Sequence, residues 1–447
     1  MAELPETLDM DDDPHPADAR AVAPTPGLVW VFSGARPLAV PIALRDGSLE
    51  LGRADHPNLA ADPDPRISRR HARVRHDGQH FTITDLGSRN GTVVDGEPLA
   101  SGATRRLSRV LRLGCSLLVP LPDIGPLQRL GVRVEHGRVA GPALQQALQQ
   151  VAAAAQSATL HINGESGAGK EELARAFHAA GPTAGGPFEA LNCAAIPEGI
   201  AERLLFGAKR GAYSGADADA IGHIQAASGG TLFLDEISEL SLPVQAKLLR
   251  VLETGEVVPL GAVRPSRVQL RFCSATHRNL RAQVAAGELR EDLYFRLATP
   301  QVKVSPLRTR PEEIPWLLRE VLGRAGVDCT PHHSLVEACL LRQWPGNFRE
   351  LIHEAHSAAQ VARAAGTSVV EAHHLSPDAG SAFSPAAPAS PPPARAAAFT
   401  PPSITRLTGV LQQCEGNVSA AARELGVHRT QLQRWLARLG LDARTFQ

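Results

Sequence analysis

At 447 residues the chain is too long for one ordinary domain, and its 43% hydrophobic content is enough to fill several cores. Its 46 Lys and Arg offset 46 Asp and Glu, so net charge alone argues neither for nucleic acid nor for a membrane surface as a partner. Six cysteines without a CxxC pair fit a reducing cytoplasm and argue against a zinc ribbon or disulfide scaffold, and the lack of an apolar run of about 18 residues predicts no membrane span.

Residues 1–26 are acidic and Pro-rich. The first 19 carry Glu3, Glu6, Asp9, Asp11, Asp12, Asp13 and Asp18 and no Lys or Arg, which predicts a disordered tail with no secretion signal. Residues 27–120 hold short apolar runs (LVWVF, LELG, ARVRH, HFTITDL, VLRLG, SLLVP) separated by turn signals. Their alternation predicts a compact all-β domain. The motifs LGR, SRRH and DLGSRNGT in this stretch resemble a forkhead-associated (FHA) domain, a β-sandwich whose end loops bind phosphothreonine peptides. The resemblance implies that Arg53 and Ser68 contact the phosphate, Arg69 assists, Asn90 holds peptide backbone and His71 is structural. A guanidinium with a hydroxyl suits a phosphate dianion. A sandwich used only for packing or dimerisation is the alternative.

Residues 121–136 read as a connector. Residues 137–304 alternate helical stretches with the short strands LHIN, FEALN, LFLDE and LRFCSA, predicting a parallel α/β core. After LHIN comes the glycine loop Gly164, Glu165, Ser166, Gly167, Ala168, Gly169, Lys170, followed by Glu171 and a helical stretch. Strand, glycine loop and helix is the setting of a P-loop, with backbone N–H groups and Lys170 aimed at phosphates. Glu171 stands where a Ser or Thr usually meets magnesium. In LFLDE, Asp235 and Glu236 close a buried strand, where Asp235 is expected to hold Mg2+ and Glu236 to orient the attacking water. Between these motifs lies GAYSGA (Gly211, Ala212, Tyr213, Ser214, Gly215, Ala216), which predicts a mobile loop with an aromatic tip. Residues 305–375 read as a helical lid, 376–402 as a Pro/Ala-rich linker and 403–447 as short helices.

Over residues 139–375 the ordered motifs GESGAGKE, NCAAIPE, LFGAKRGAYSGA, GGTLFLDEI, QAKLLRVLE, REDLYFRL and WPGNFREL resemble the AAA+ domain of bacterial sigma-54-dependent activators. The resemblance implies ATP and Mg2+ as ligands and a ring-shaped homo-oligomer, taken as a hexamer. It makes Asn192 the switch partner of Glu236, Thr276 and His277 the first sensor, and Arg349 the second. Arg290 and Arg296 would reach a neighbouring subunit's ATP, and GAYSGA would contact sigma-54. Departures are Tyr213 and Ser214 for the usual Phe and Thr, Leu204 and Ala208 for Glu and His, and Pro259 for Arg. These leave the coupling of loop to ATP open, although aromatic and hydroxyl are kept.

The C-terminal GNVSAAARELGVHRTQLQRWLARLG reads as helix, turn, helix, with caps at Asn417 and Ser419 and a turn at Gly426. Val427, Leu432, Trp435, Leu436 and Leu439 fall on one face, leaving His428, Arg429, Thr430, Gln431, Gln433 and Arg434 for DNA. This stretch resembles the Fis-type helix-turn-helix, whose second helix enters the major groove. The expected fold is therefore multidomain: all-β FHA sandwich, α/β P-loop ATPase with helical lid, and all-α helix-turn-helix. The expected function is ATP-driven activation of sigma-54 RNA polymerase from upstream promoter DNA, gated by a phosphothreonine protein or Ser/Thr kinase. A DNA-binding regulator or repressor that no longer engages sigma-54 is one alternative, and a phosphopeptide scaffold in which ATP only sets oligomeric state is another.

Overall fold

A computed structural model describes residues 23–55, 64–214, 216–324, 329–382, 404–414 and 416–425, and parts of 432–446. The expected tail up to residue 22 and linker residues 383–402 lie outside the described residues. The chain divides into one unit up to Ala382 and a second from Phe383.

The first unit begins with a two-sheet sandwich. Its strands are β1 (Gly27–Ser33), β2 (Arg36–Ala43), β3 (Ser48–Leu51), β4 (Ala72–His76), β5 (Phe81–Asp85), β6 (Thr92–Val94), β7 (Glu97–Leu99), β8 (Thr104–Leu107), β9 (Leu111–Leu113) and β10 (Ser116–Leu121). One sheet has the order β2-β1-β10-β9-β6-β7, the other β3-β4-β5-β8. Period two sets the inner face: Phe81, Ile83 and Asp85 of β5 are buried while Thr82 and Thr84 are not. β1 is buried on both faces, which its unbroken apolar run reflects. Leu28 and Trp30 fill the sandwich, whereas Val29, Val31 and Phe32 join Leu117 and Val119 of β10 in a second core on the outer side.

That second core is shared with the lid. The lid contains α-helices that follow the α/β core, so the intervening elements come first. Residues 121–136 are not the expected bare connector, because α1 (Gly125–Leu130) and β11 (Arg133–Glu135) form there, β11 pairing with β12 (Arg138–Ala140) just beyond. Ile124, Leu127 and Val139 are apolar and fill the shared core, which is why this stretch folds. The α/β core then runs α2 (Pro142–Ala153), β13 (Thr159–Asn163), α3 (Lys170–Ala180), β14 (Phe188–Asn192), α4 (Glu198–Phe206), α5 (His223–Ala226), β15 (Thr231–Asp235) and α6 (Leu242–Thr254). It continues with the two-stranded pair β16 (Glu256–Val257) and β17 (Ser266–Arg267), then β18 (Arg271–Thr276), α7 (Leu280–Ala285), α8 (Glu291–Leu297) and β19 (Gln301–Lys303). The sheet is parallel throughout, in the order β14-β15-β18-β13-β19. Apolar clusters cover both faces, as a parallel sheet requires.

The lid comprises α9 (Ile314–Arg324), α10 (His333–Leu341) and α11 (Asn347–Ala364), with a short parallel pair β20 (Thr330–Pro331) and β21 (Val369–Val370). Leu318, Leu335, Val336 and Leu340 pack against the outer face of the sandwich. Polar contacts fix the seam: the Trp316 indole donates to Leu38 O at 3.1 Å, and Arg109 donates to Leu341 O at 2.8 Å beside the end of α10. The lid also outlasts its expected end at 375, since Ala379 is buried in its core and Gly380 N donates to Glu350.

In the second unit, α12 (Ile404–Gln413) and α13 (Val418–Glu424) bury Leu407, Leu411, Ala421 and Ala422 with Leu432, Trp435 and Leu436. The Asn417 carboxamide accepts from Ser419 N and Ala420 N, the cap that its sequence position implies. Gln433 is exposed, while His428, Arg429, Thr430, Gln431 and Arg434 lie outside the described residues.

Candidate functional site

The strand β13, the glycine loop and α3 place Lys170 at the foot of a cleft of 800 Å3 between the α/β core and the lid. Ser166, Gly167, Ala168, Gly169, Lys170 and Glu171 line it, with Asn192, Asp235, Glu236, His277 and Arg349. Gly167 has φ +71°, and a Cβ there would meet Gly346 O at 2.3 Å. Only glycine lets the start of α11 seat on the loop, where Phe348 N donates to Gly167 O. Gly164 N donates to Thr276 O, tying the loop's first residue to the end of β18.

Lys170 is only 6% exposed. Its ammonium donates to Glu236 Oε1 at 2.9 Å and Gly164 O at 3.2 Å, and lies 3.8 Å from Asp235 Oδ1. A buried ammonium needs such partners. Burial pushes the Asp235 carboxyl up, and Lys170 opposes the rise only in part. Burial also works against Glu236, but its hydrogen bonds from Lys170 and His277 outweigh this and hold it below the usual range. Glu236 itself sits at φ +53°, an uncommon backbone for a side-chain-bearing residue.

The partners of Glu236 differ from the expected switch. Its Oε2 meets His277 Nδ1 at 2.8 Å and Thr276 Oγ1 at 3.3 Å. Asn192 lines the same cleft, but its side-chain oxygen accepts from Ala194 N at 3.0 Å and caps the short turn after β14. Glu171, in the magnesium Ser/Thr position, pairs with Arg175 one helical turn on, at 2.7 Å.

Several residues that the motifs did not single out hold the cleft's lid side. Arg308 makes a two-pronged pair with Glu165 at 2.7 and 2.6 Å, and Asn347 donates to Glu165 and to Ser166 O. Arg349 Nη1 lies 3.4 Å from Ser166 Oγ. Arg310, fully buried, donates to Ala168 O and stacks on Phe348. The run RTRPEEI before a helix was the available signal, with two Arg and two Glu around a proline.

Arg290 caps the start of α8 and Arg296 lies in its last turn, and neither lines this cleft. Arg290 pairs with Asp292 at 2.7 Å, and Arg296 donates to Leu252 O at 3.3 Å. The GAYSGA loop is less free than its glycines suggest. Its base closes through Lys209–Asp219 at 2.6 Å and Gly211 N to Ala216 O. Tyr213 leans back, its hydroxyl accepting from Arg203 of α4 at 2.9 Å, so the tip does not project freely. Ser214 is exposed, Ala212 half-buried and Ala216 buried, and Gly215 lies outside the described residues.

On the sandwich, Arg53, Ser68, Arg69 and Asn90 gather at one end. Arg53 donates to Ile67 O and Pro65 O, and Asn90 donates to Arg66 O. Ser68 Oγ accepts from Arg89 N. A Cβ on Gly52 would strike Arg69 O at 1.9 Å, so the glycine of LGR lets the two loops meet. His71 is structural: Nδ1 accepts from Ser68 N, Nε2 faces Gly91 O, and burial pushes its pKa down. Asp85 gathers Gly87 N, Ser88 N, Ser88 Oγ and Thr92 Oγ1, which shapes the DLGSRNGT loop.

Residues 139–303 match the family model described as "Sigma-54 interaction domain", residues 49–114 "FHA domain", and residues 406–445 "Bacterial regulatory protein, Fis family". Over 312 residues the chain is 39% identical to the transcriptional regulatory protein GlrR of Escherichia coli, covering 68% of each chain. It is 43% identical over 315 residues to the acetoin catabolism regulatory protein of Cupriavidus necator, covering 67% of this chain but only 46% of that relative's length. Among solved structures, NtrX from Brucella abortus in complex with ATP is similar, with a TM-score of 0.50 at 29% identity over 67% of this chain and 68% of that one.

Proposed function

This chain belongs to the sigma-54-dependent transcriptional regulators, and from that premise we propose that it remodels sigma-54 RNA polymerase by ATP hydrolysis. It would act in the cytoplasm from upstream promoter DNA, as a homo-oligomeric ring taken as a hexamer, with its FHA domain reading phosphothreonine on a partner. The observation that carries the reading is the cleft in which Lys170, Asp235 and Glu236 meet beneath a lid bearing Arg349. Its 800 Å3 and its glycine-loop floor suit a nucleoside triphosphate.

Bound ATP would supply the transferable phosphoryl group, with Mg2+ held at Asp235. Lys170 would turn from Glu236 to the phosphate oxygens. Glu236, released by Lys170 and His277, would then orient the attacking water. Asn192, which lines the same cleft, would take over the freed carboxylate, and Thr276 would mark its resting place. Arg349 would add positive charge from the lid, where charge builds on the phosphoryl oxygens. Neither Arg290 nor Arg296 lines its own cleft, which supports a role in trans. Phe295 between them is 70% exposed and offers that face an apolar contact for a second copy.

The second reading, a DNA-binding regulator that no longer engages sigma-54, is favoured by Tyr213 resting against Arg203. An open-complex assay on a sigma-54 promoter separates the two. The proposal expects ATP-dependent open complexes from the parent and none from Glu236→Gln with nucleotide binding retained. Full ATP turnover and DNA binding without open complexes would select the second reading.

A further inference from the structure

The end of the sandwich that bears Arg53 and Ser68 is rich in arginine. Arg53, Arg66, Arg69 and Arg89 lie on loops that Ser68, Asn90 and Gly52 join through backbone contacts, and all four are exposed. The Arg53 guanidinium donates to Ile67 O and Pro65 O, and that of Arg66 to Cys115 Sγ. None of the four forms an ion pair among the described residues. Carboxylates described on these loops are engaged elsewhere: Asp55 accepts from Gly52 N, Asp64 from Cys115 N, Arg66 N and Ser116 Oγ, and Asp85 from Gly87 N, Ser88 and Thr92. Such a cluster favours a ligand that carries carboxylates beside its phosphate.

This chain contains a segment of that chemistry. Residues 1–22 hold seven acidic residues and a single basic one, Arg20, and their only hydroxyl-bearing side chain is Thr7, in the run PETLDMDDD. The other long stretch outside the described residues, 383–403, offers Thr400 but contains no acidic residue and one Arg. Charge therefore selects Thr7. Reach allows it: 15 residues lie between Thr7 and Ala23, where the described chain begins. Extended, they span about 50 Å, and a domain of this size is about 30 Å across.

We propose that the occupant of the FHA phosphate site is this chain's own N-terminal segment, phosphorylated on Thr7 and bound in cis. The inference rests on the phosphothreonine reading of the FHA domain given above. A Ser/Thr protein kinase would transfer the γ-phosphoryl group of its ATP to Thr7. The Oγ1–P bond forms, the P–O bond to the departing ADP breaks, and the hydroxyl proton passes to the kinase's base. Arg53 would exchange a loop carbonyl for the new phosphate. Asp9, Asp11, Asp12 and Asp13 would follow onto Arg66, Arg69 and Arg89. The phosphorylated tail would then exclude phosphothreonine partners until the phosphate is removed.

The test uses the full chain, unmodified or carrying phosphothreonine at residue 7. Two fluorescent probes are titrated: a peptide of residues 2–13 phosphorylated on Thr7, and an acid-free phosphothreonine peptide. The unmodified chain is expected to bind the first probe, and more tightly than the second. A tethered ligand at a local concentration on the order of 1 mM, with a dissociation constant of about 10 µM, weakens probe binding roughly a hundredfold. That loss should appear in the phosphorylated chain and stay constant on tenfold dilution of the protein. Equal probe binding by the two chains would overturn the inference, and so would binding of the acid-free probe alone. A loss that fades on dilution would place the tail on a second copy and overturn binding in cis. Failure of the unmodified chain to distinguish phosphorylated from plain peptides would instead sink the phosphothreonine reading itself.

Discussion

At the scale of single residues, the lid's charge is anchored by an uneven buried set. Arg310 faces Glu313, whose carboxylate also accepts from Gly141 N at 2.8 Å, and Glu312 is buried beside them. Burial, with Glu313 adding repulsion, pushes the Glu312 carboxyl up to about 8. In the unfolded chain the same group titrates near 4.5. Between these values the native state holds a proton that the unfolded state has lost, so stability falls as pH rises through the window and levels off above it. The slope is at most about 1.4 kcal/mol per pH unit. Glu312→Gln should remove this slope, leaving a melting temperature at pH 7.5 equal to or above the parent's and a flatter profile from pH 5.5 to 8.5. Parallel profiles for the two proteins would refute it. The run RTRPEEI marks the charges but not their partners. The P-loop and the Asp235–Glu236 pair are local patterns that announce themselves, but Arg310 and Glu313 find their partners at Ala168 and Gly141, over 140 residues away. The resting partner of Glu236 was hidden for the same reason, since His277 arrives just past the end of a different strand.

At the scale of elements, the loop around GAYSGA is held at its base by backbone rather than by the side chains that depart from the family. Ala208 pairs with Ala220 and bridges to Leu260, and its own side chain is buried. Lys209 N donates to Leu260 O, and Leu260 N to Gly207 O. Replacement of a larger residue by Ala208, or of Arg by Pro259, leaves these bonds intact because they run through the main chain and use neither side chain. The tip depends on a different contact, Arg203 of α4 with the hydroxyl and ring of Tyr213. Arg203→Ala should therefore free the tip while sparing the cleft. Amide exchange at Ala212 and Ala216 should quicken several-fold, and ATP turnover should stay within about twofold of the parent, because Arg203 lies outside the cleft. Unchanged exchange would mean that the closed base, not the tip contact, orders the loop. The glycines correctly marked an irregular segment, yet composition carried no trace of an arginine ten residues upstream reaching back to the tip.

At the scale of the molecule, the sandwich and the lid are one packed body, not a sensor on a tether. β1 and β10 present Val29, Val31, Leu117 and Val119 to the lid helices, and residues 121–136 fill the seam. Each domain was legible separately, but the unbroken apolar run of β1 was the only sequence sign that its outer face is covered. The lid in turn holds the glycine loop through Asn347 and Arg349. Any movement of the lid must carry the sandwich with it or break this core. The polar keystone is Arg112 of β9 against Glu337 of α10, at 2.9 Å, the carboxylate side chain only 12% exposed. Burial pushes Glu337 up and Arg112 pulls it back in part, so losing the guanidinium strands a carboxyl in the seam. Arg112→Ala should cost about 1–3 kcal/mol. It should also let protease enter residues 121–136, where the parent resists. Replacing both partners with apolar residues, as Arg112→Met with Glu337→Leu, should recover most of the loss, because no charge is then left unpaired. Melting curves and limited proteolysis of the full chain measure both effects. A double variant no better than the single one would assign the seam to its apolar contacts alone.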